Sequence, residues 1–275
     1  MTKNIKGRLY DAAGNRILWL DSRGANGRRE DDARFARLRV AGYELSQRFD
    51  VGQDLTAVLF SSPRTLRALF WNRDGSYEMT CGNAIRCLAH FIGENASHSR
   101  TVSVETPYAT YVSRKLDAYH ACAVVSGKTV RVAAPHPDGD FLVDVGTPHR
   151  IRLVDDEWRE RDLADAITHS TAPEPKNFSL VRRVAPCRFR VRIFERGVGE
   201  TSSCGTAAVS IVAALGSPAG TTTARTSHLV DFASGEKLTV VYDPASDCYE
   251  VGGRVTLLES YELGGQVALL ESLAN

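Results

Sequence analysis

Two short segments of this sequence place a cysteine in nearly the same setting: EMTCGNAIRC over residues 78–87 and ETSSCGTAAVS over residues 200–210. In each, a glutamate (Glu78, Glu200) precedes the cysteine (Cys81, Cys204). Each cysteine is followed by a glycine (Gly82, Gly205), then by Asn83 or Thr206, then by an apolar run. A cysteine among the residues that open a helix sees the positive end of the helix dipole and several unpaired N–H groups. That setting favours thiolate, moving the pKa from about 8.5 into the range of about 3.5–7.5. The same N–H groups form an anion site where a carboxylate docks, and a glycine next to the thiol leaves the approach open. Asn83 and Thr206 can cap the turn or add a donor. Two such ends facing one another suit the inversion of an α-carbon. One thiolate removes a proton from one face and one thiol returns a proton to the other, each within roughly 3–3.5 Å of the carbon. The N–H groups of both helices would stabilise the charge that develops on the carboxylate.

The elements that must position these thiols are mostly short strands. Segments rich in β-branched and aromatic residues, bounded by Gly, Pro, Asp and Asn, predict strands at Ile17–Asp21, Thr56–Ser61, Thr65–Trp71, Thr101–Glu105, Ala109–Ser113, Ala121–Val125, Thr129–Ala133, Phe141–Val145, Arg188–Glu195, Lys237–Tyr242 and Val255–Leu258. Apolar spacing predicts helices at Asp31–Phe49 and Glu157–Thr168, and the two cysteine segments lead into helices at Ala84–Gly93 and Ala207–Leu215. The last of these is apolar nearly all round, which requires enclosure on every side. A helix wrapped by a curved sheet, once in each half, is the architecture expected. The repeated cysteine segment predicts two domains of like architecture, with the switch near residues 115–125. The division read is an N-terminal domain over 1–120 carrying Cys81, a C-terminal domain over 121–258 carrying Cys204, and a closing segment, 259–275, returning to the first domain.

Bulk composition narrows the classes. The chain has 275 residues, and its 34 basic against 33 acidic residues leave a net charge of +1, so no bulk field calls for nucleic acid or anionic membrane. Arginines do cluster, at Arg182-Arg183 and at Arg188, Arg190 and Arg192. The second set alternates with Phe189, Val191 and Ile193, which reads as a strand with one wet face rather than a phosphate site. No apolar run approaches the ~18 residues of a membrane span. The N-terminal MTKNIKGRLYD carries no apolar signal core, so a cytoplasmic location is expected. There the six cysteines read as thiols rather than a disulfide framework, and their spacing does not match a zinc site. No Gly-rich phosphate loop is present, so no nucleotide cofactor is expected.

The segments MTCGNAIRCLAHFI and ERGVGETSSCGTAAVSIVAAL resemble the two signature segments of the diaminopimelate epimerase family, which are pyridoxal-independent amino-acid epimerases. Five more segments match in the same order: AAGNRILWLD, LFWNRDGSYEMTCGN, VGTPHRI, EPKNFSLV and FERGVGET. The resemblance implies an α+β fold of two pseudo-symmetric domains, each a curved, mainly antiparallel barrel-like sheet around a central helix. It implies a two-base isomerase of amino-acid metabolism, with lysine biosynthesis as the setting, acting without pyridoxal phosphate or metal. Catalysis would fall to Cys81, Cys204, His149 (the partner of the first cysteine in the family) and Glu195. Substrate binding would fall to Asn15, Asn72, Gly82, Asn83, Asn177, Arg196, Gly205 and Thr206, with the Arg196 guanidinium at the distal end. Thr147 stands where the family has a substrate-binding asparagine, Arg16 where it has aspartate, and Ala84 and Ala207 where glycine is usual. These departures alter the pocket wall and leave the amino acid open: diaminopimelate, a basic amino acid or histidine.

The residues taken alone admit other readings. Cys87, Cys122, Cys187 and Cys248 read as structural thiols. Glu78 and Glu200 read as loop-orienting residues first. A non-enzymatic redox switch using Cys81 and Cys204 is the rival from another class, and related folds host isomerases that use a carboxylate instead of thiols. The partner expected is a small-molecule amino-acid substrate, with no nucleic acid and no membrane. A homodimer is left open.

Overall fold

The computed structural model describes residues 5–23, 49–61, 65–93, 101–133, 135–155, 158–171, 176–216 and 224–263. The helix expected over Asp31–Phe49 lies, except for Phe49, outside these residues, as does Glu157 at the start of the other.

The chain divides into two compact units: the described residues up to Ala121 together with those from Val255 onward, and Cys122–Arg254. The first unit contains β1 (Ile5–Asp11), β2 (Arg16–Asp21), β3 (Leu55–Ser61), β4 (Leu66–Asn72), β5 (Tyr77–Glu78), β6 (Thr101–Glu105), β7 (Thr110–Lys115) and the last strand, β18 (Thr256–Leu263), with helix α1 at Gly82–Gly93. Strands β2 and β3 pair in parallel, as do β4 and β6; β1–β2, β3–β4, β4–β5, β6–β7 and β1–β18 are antiparallel.

The second unit repeats this plan. It contains β8 (His120–Ser126, beginning at the boundary), β9 (Arg131–Val132), β10 (Phe141–Asp144), β11 (Pro148–Leu153), β12 (Asn177–Ala185), β13 (Arg188–Glu195), β14 (Gly199–Glu200), β15 (Thr226–Phe232), β16 (Lys237–Asp243) and β17 (Cys248–Arg254). Its helices are α2 (Glu160–Thr171) and α3 (Gly205–Leu215). The β11–β12 and β13–β15 pairs are parallel, while β10–β11, β12–β13, β13–β14 and β15–β16 are antiparallel. The order of parallel and antiparallel partners thus matches that of β1–β7 strand for strand. The fold is α+β, with mainly antiparallel sheets.

Burial explains why each unit encloses one helix. In the second, Ala207, Ala208, Val209, Ile211, Val212 and Leu215 of α3 are all buried, against β9–β12, β16 and β17. Small side chains let the strands approach a helix that has no wet face. In the first unit, Trp19 of β2 is fully buried, stacks on Phe91 of α1 and donates its indole N–H to the Ala84 carbonyl at 3.1 Å. The opposite face of the same sheet is also apolar, with Leu18, Leu20, Val58, Phe60, Leu69 and Trp71 in one cluster. Central strands buried on both faces read as continuous apolar runs, which LWL, AVLF and ALFW do. The corresponding outer face in the second unit, Phe178, Leu180 and Phe194, lies under Ala166 of α2.

Several strands of the structure are not foreseen from the sequence pattern: β1, β5, β11, β12, β14, β15 and β17. Each carries charged, Gly or Pro residues that interrupt a β-branched or aromatic run, or is polar at one end.

Candidate active site

Each cysteine stands at the head of its unit's buried helix. The Ile85 N–H donates to the Cys81 carbonyl at 2.9 Å, and the Ala208 N–H to the Cys204 carbonyl at 3.0 Å. Cys204 has extended dihedrals (φ −141°, ψ 119°) and is the N-cap of α3. The same local device delivers the chain to both helices. A short hairpin pairs Phe70 with Glu78 before Cys81, and another pairs Phe194 with Glu200 before Cys204. The second hairpin turns through Gly197 and Gly199, at φ +72° and +95°, a region that L side chains rarely adopt.

In the second unit the hairpin brings chemistry with it. Glu195, the last residue of β13, accepts a hydrogen bond from the Thr201 hydroxyl at 2.5 Å. His149, at the start of β11, sits in parallel register with Asn177 of β12. Its Nε2 lies 3.0 Å from the Thr206 hydroxyl, which is itself 3.2 Å from the Cys204 sulfur. Asn177 accepts the Arg196 backbone N–H at 2.8 Å, fixing the residue next to Glu195. Six of the expected residues (His149, Asn177, Glu195, Arg196, Cys204 and Thr206) therefore lie in one connected set, and Gly205 follows the thiol as the first residue of α3.

The electrostatics of this set differ from the expectation for a helix-opening thiol. Burial, followed by the nearby Glu195 carboxylate, pushes the Cys204 thiol well above its ordinary pKa; the Thr206 hydroxyl pulls the other way. Desolvation and a like charge outweigh the helix dipole, whose effect is on the order of 1 kcal/mol. Cys204 is a thiol at neutral pH. Burial also lowers the His149 pKa to about 3, so its imidazole is neutral and exchanges hydrogen bonds rather than charge.

The first unit holds the other expected residues. Asn15 closes a tight turn in which the Ala12 N–H bonds to the Asn15 carbonyl at 2.8 Å. Ala13 in that turn has φ 54° and Gly14 φ 82°. The side-chain amide of Asn72 donates to the Ser76 hydroxyl and to Glu78, each at 3.0 Å, so it braces the hairpin ahead of Cys81. Asn83 is buried in the first turn of α1, and Gly82 begins that helix. Arg16 turns its guanidinium onto the Val51 carbonyl at 3.3 Å while its N–H bonds to Asp54.

At the register position that Glu195 takes in β13, β4 has Trp71. The two halves share a backbone plan, yet only the second carries a carboxylate there. Cys87 is fully buried, bonded to the Asn83 carbonyl at 3.3 Å, and burial raises its thiol. All six cysteines are free thiols.

Two residues near these thiols are assigned no role from the sequence. Arg86 is fully buried in α1 and donates to the Ala12 carbonyl at 3.2 Å, clipping the Asn15 turn to the helix headed by Cys81. Tyr111 is buried, and burial, with Tyr108 and Cys81 pushing the same way, raises its phenol to about 12. A charged residue in an apolar helix was the available signal for Arg86; nothing marked Tyr111. Among the described residues, no helix is long and apolar enough to cross a membrane.

The family model for diaminopimelate epimerase matches residues 141–257. A diaminopimelate epimerase of Xanthomonas campestris is 30% identical over 248 residues, which is 78% of this chain and 82% of that protein. One from Mycobacterium tuberculosis is 32% identical over 216 residues, 69% of this chain and 72% of its own. Among solved structures, a phenazine biosynthesis protein of the PhzF family from Bacillus anthracis aligns with a TM-score of 0.65 at 12% identity, covering 95% of this chain and 99% of that one. A hydroxyproline epimerase from Agrobacterium vitis aligns with a TM-score of 0.64 at 12% identity, covering 96% and 94%. Those two structures speak to the fold, whereas the identity shared with the curated relatives extends over most of both chains. On that ground the chain belongs to the diaminopimelate epimerase family and is an isomerase of the epimerase and racemase type.

Proposed function

We propose that the protein inverts the α-carbon of a free amino acid by two-base proton transfer between Cys204 and Cys81, without pyridoxal phosphate, metal or nucleotide. The observation that carries this reading is Cys204 itself, a thiol at the head of a buried helix, hydrogen-bonded through Thr206 to a neutral His149 and adjacent to Glu195. In one direction Cys81, as thiolate, takes the α-proton, and the electron pair left on carbon spreads into the carboxylate. Cys204 then gives its proton to the opposite face, and its sulfur is left as the thiolate that serves the reverse reaction. The negative charge on the substrate carboxylate meets the N–H groups at the two helix heads. Glu195 raises the proton affinity of Cys204 and so suits it to the acid role.

The substrate in this reading carries a polar group at its far end. Diaminopimelate stands first, and a basic amino acid or histidine next. Arg196 supports this, as does the name of the curated relatives, diaminopimelate epimerase. Thr147 and Arg16 would shape the wall around that distal group. A redox sensor draws less support, because such cysteines are exposed and of low pKa, whereas Cys204 is buried with its pKa raised.

The test is Cα deuterium incorporation in heavy water across L- and D-amino acids, with diaminopimelate, lysine, arginine, histidine, glutamate and alanine compared. Label in both stereoisomers of a polar-ended substrate is expected. No label in any of them would reject the reading, and alanine as the best substrate would reject the distal clamp.

A further inference from the structure

A groove of about 560 Å³ opens in the second unit, bounded by Trp158, Arg190, Arg192, Glu200, Ser202 and Ser234. It is built from the arginine-bearing strand face and the loop that leads to Cys204; of its lining side chains only Thr201, which holds Glu195, touches a residue of the proposed reaction. Its charges are unequal. Arg192 is neutralised by Glu200 through two hydrogen bonds of 2.7 and 2.6 Å, and Arg188 pairs with Asp231 at 2.5 Å. Among the described residues, Arg190 has no carboxylate partner; its guanidinium rests over the Trp158 ring at 5.5 Å. Directly opposite it in the antiparallel register, beside the groove rather than lining it, stands Arg182, whose buried Nε has no hydrogen-bond partner among the described residues. The buried indole N–H of Trp158 likewise lacks an acceptor.

Like charges set directly opposite across two strands are destabilising, and a buried N–H left unpaired costs about 1–3 kcal/mol. Arg182, Arg190 and Trp158 bear both penalties in one place. Proteins break local rules of this kind at functional or strained sites. Among the described residues neither guanidinium has a carboxylate partner, and two such charges side by side match a double negative charge. The planar guanidinium fork suits an oxyanion.

We propose that this groove binds a small dianion, a phosphoryl group or a paired carboxylate, held by Arg190 and Arg182 with the Trp158 indole N–H and the Ser202 hydroxyl as donors. The site is coupled to the thiol. Ser202 lies two residues before Cys204, its carbonyl accepts the Ser234 hydroxyl at 2.6 Å, and its neighbour Thr201 holds Glu195. An occupied groove therefore fixes the loop that delivers Cys204, so the protein's activity responds to an anion that is not its substrate.

Tryptophan fluorescence reads the site. Trp19 and Trp71, the other two tryptophans, are fully buried in the first unit, so a change on adding anion comes from Trp158. The protein is titrated with inorganic phosphate and, in a separate arm, with malonate, at ionic strength held constant with potassium chloride. A saturable change is expected with at least one of them, weakened tenfold or more in Arg190→Gln and in Arg182→Gln, and absent in Trp158→Phe. Saturation by phosphate alone assigns a phosphoryl ligand, and by malonate alone a dicarboxylate. No saturable change with either, or equal affinity in Arg190→Gln, overturns the site. Saturating anion is also expected to slow alkylation of Cys204 by iodoacetamide severalfold; binding with an unchanged rate overturns the coupling. Neither readout needs turnover, so failure here and failure of the epimerase reading are separable.

Discussion

At the residue scale, the thiol of Cys204 is set by its neighbours rather than by its helix. Removing the Glu195 charge leaves burial as the main upward influence, so the thiol should ionise at lower pH. In Glu195→Gln, alkylation of Cys204 by iodoacetamide at pH 8 is expected to rise, because more of the thiol is then ionised. Peptide mapping of the labelled thiol checks this, and an unchanged rate would remove Glu195 as the cause. The Thr206 hydroxyl offers a second test. Thr206→Val keeps the volume and breaks the hydrogen-bond chain between Cys204 and His149, while Thr206→Ser preserves it. Valine is expected to lower kcat by about tenfold or more and serine to restore most of it, since positioned proton donors and acceptors contribute about 100-fold or more. Cys81→Ser and Cys204→Ser should each abolish inversion, and Cys87→Ser should leave it nearly intact.

At the scale of elements, a hairpin and a helix head work as one part. Gly199 holds φ +95° where β14 begins, and its neighbour Glu200 leads to Thr201, the residue that fixes Glu195. Gly199→Ala has open space around it, yet the backbone conformation alone costs about 1–2 kcal/mol. Urea denaturation is expected to show that loss. The buried helix α3 is equally intolerant of size. Ala208 is fully buried, so Ala208→Leu should destabilise by about 1–3 kcal/mol through overpacking, read by the same method.

At the scale of the whole molecule, one plan of strands is used twice and diversified by side chains. The first unit places Trp71 where the second places Glu195, so the duplicated backbone yields two unlike thiol settings. Global stability carries the signature of the second setting. His149 has its folded pKa lowered to about 3, against about 6.5 when unfolded. The unfolded chain therefore binds a proton that the folded chain refuses between those values. Stability from this residue is fully present above pH 6.5 and falls by about 1.4 kcal/mol per pH unit down to about pH 3. Comparing wild type with His149→Gln in urea at pH 7 and pH 4.5, the variant should lose less on acidification. A parallel loss in both would show that His149 is not the source.

The sequence alone determined the local parts. A cysteine, a glycine and a capping side chain ahead of an apolar run locate both helix heads, and α1 and α3 begin within two residues of the expected starts. The repeat of that segment carries the two-unit plan, because like sequences build like local structure. The alternation in Arg188–Glu195 gives β13 its boundaries. Other strands were hidden: β11 opens on Pro148 and β12 carries Arg182 and Arg183 near its end, and each is fixed by the neighbouring strands with which it pairs. Tertiary structure alone decided the chemistry of Cys204. The spacing reports a helix dipole, which is local and lowers the pKa. Desolvation depends on everything packed around the sulfur, and the Glu195 charge arrives through a hairpin turn; together they reverse the direction. The link from His149 through Thr206 to that sulfur joins residues far apart in the chain, and only the β11–β12 pairing against α3 brings them within hydrogen-bond reach.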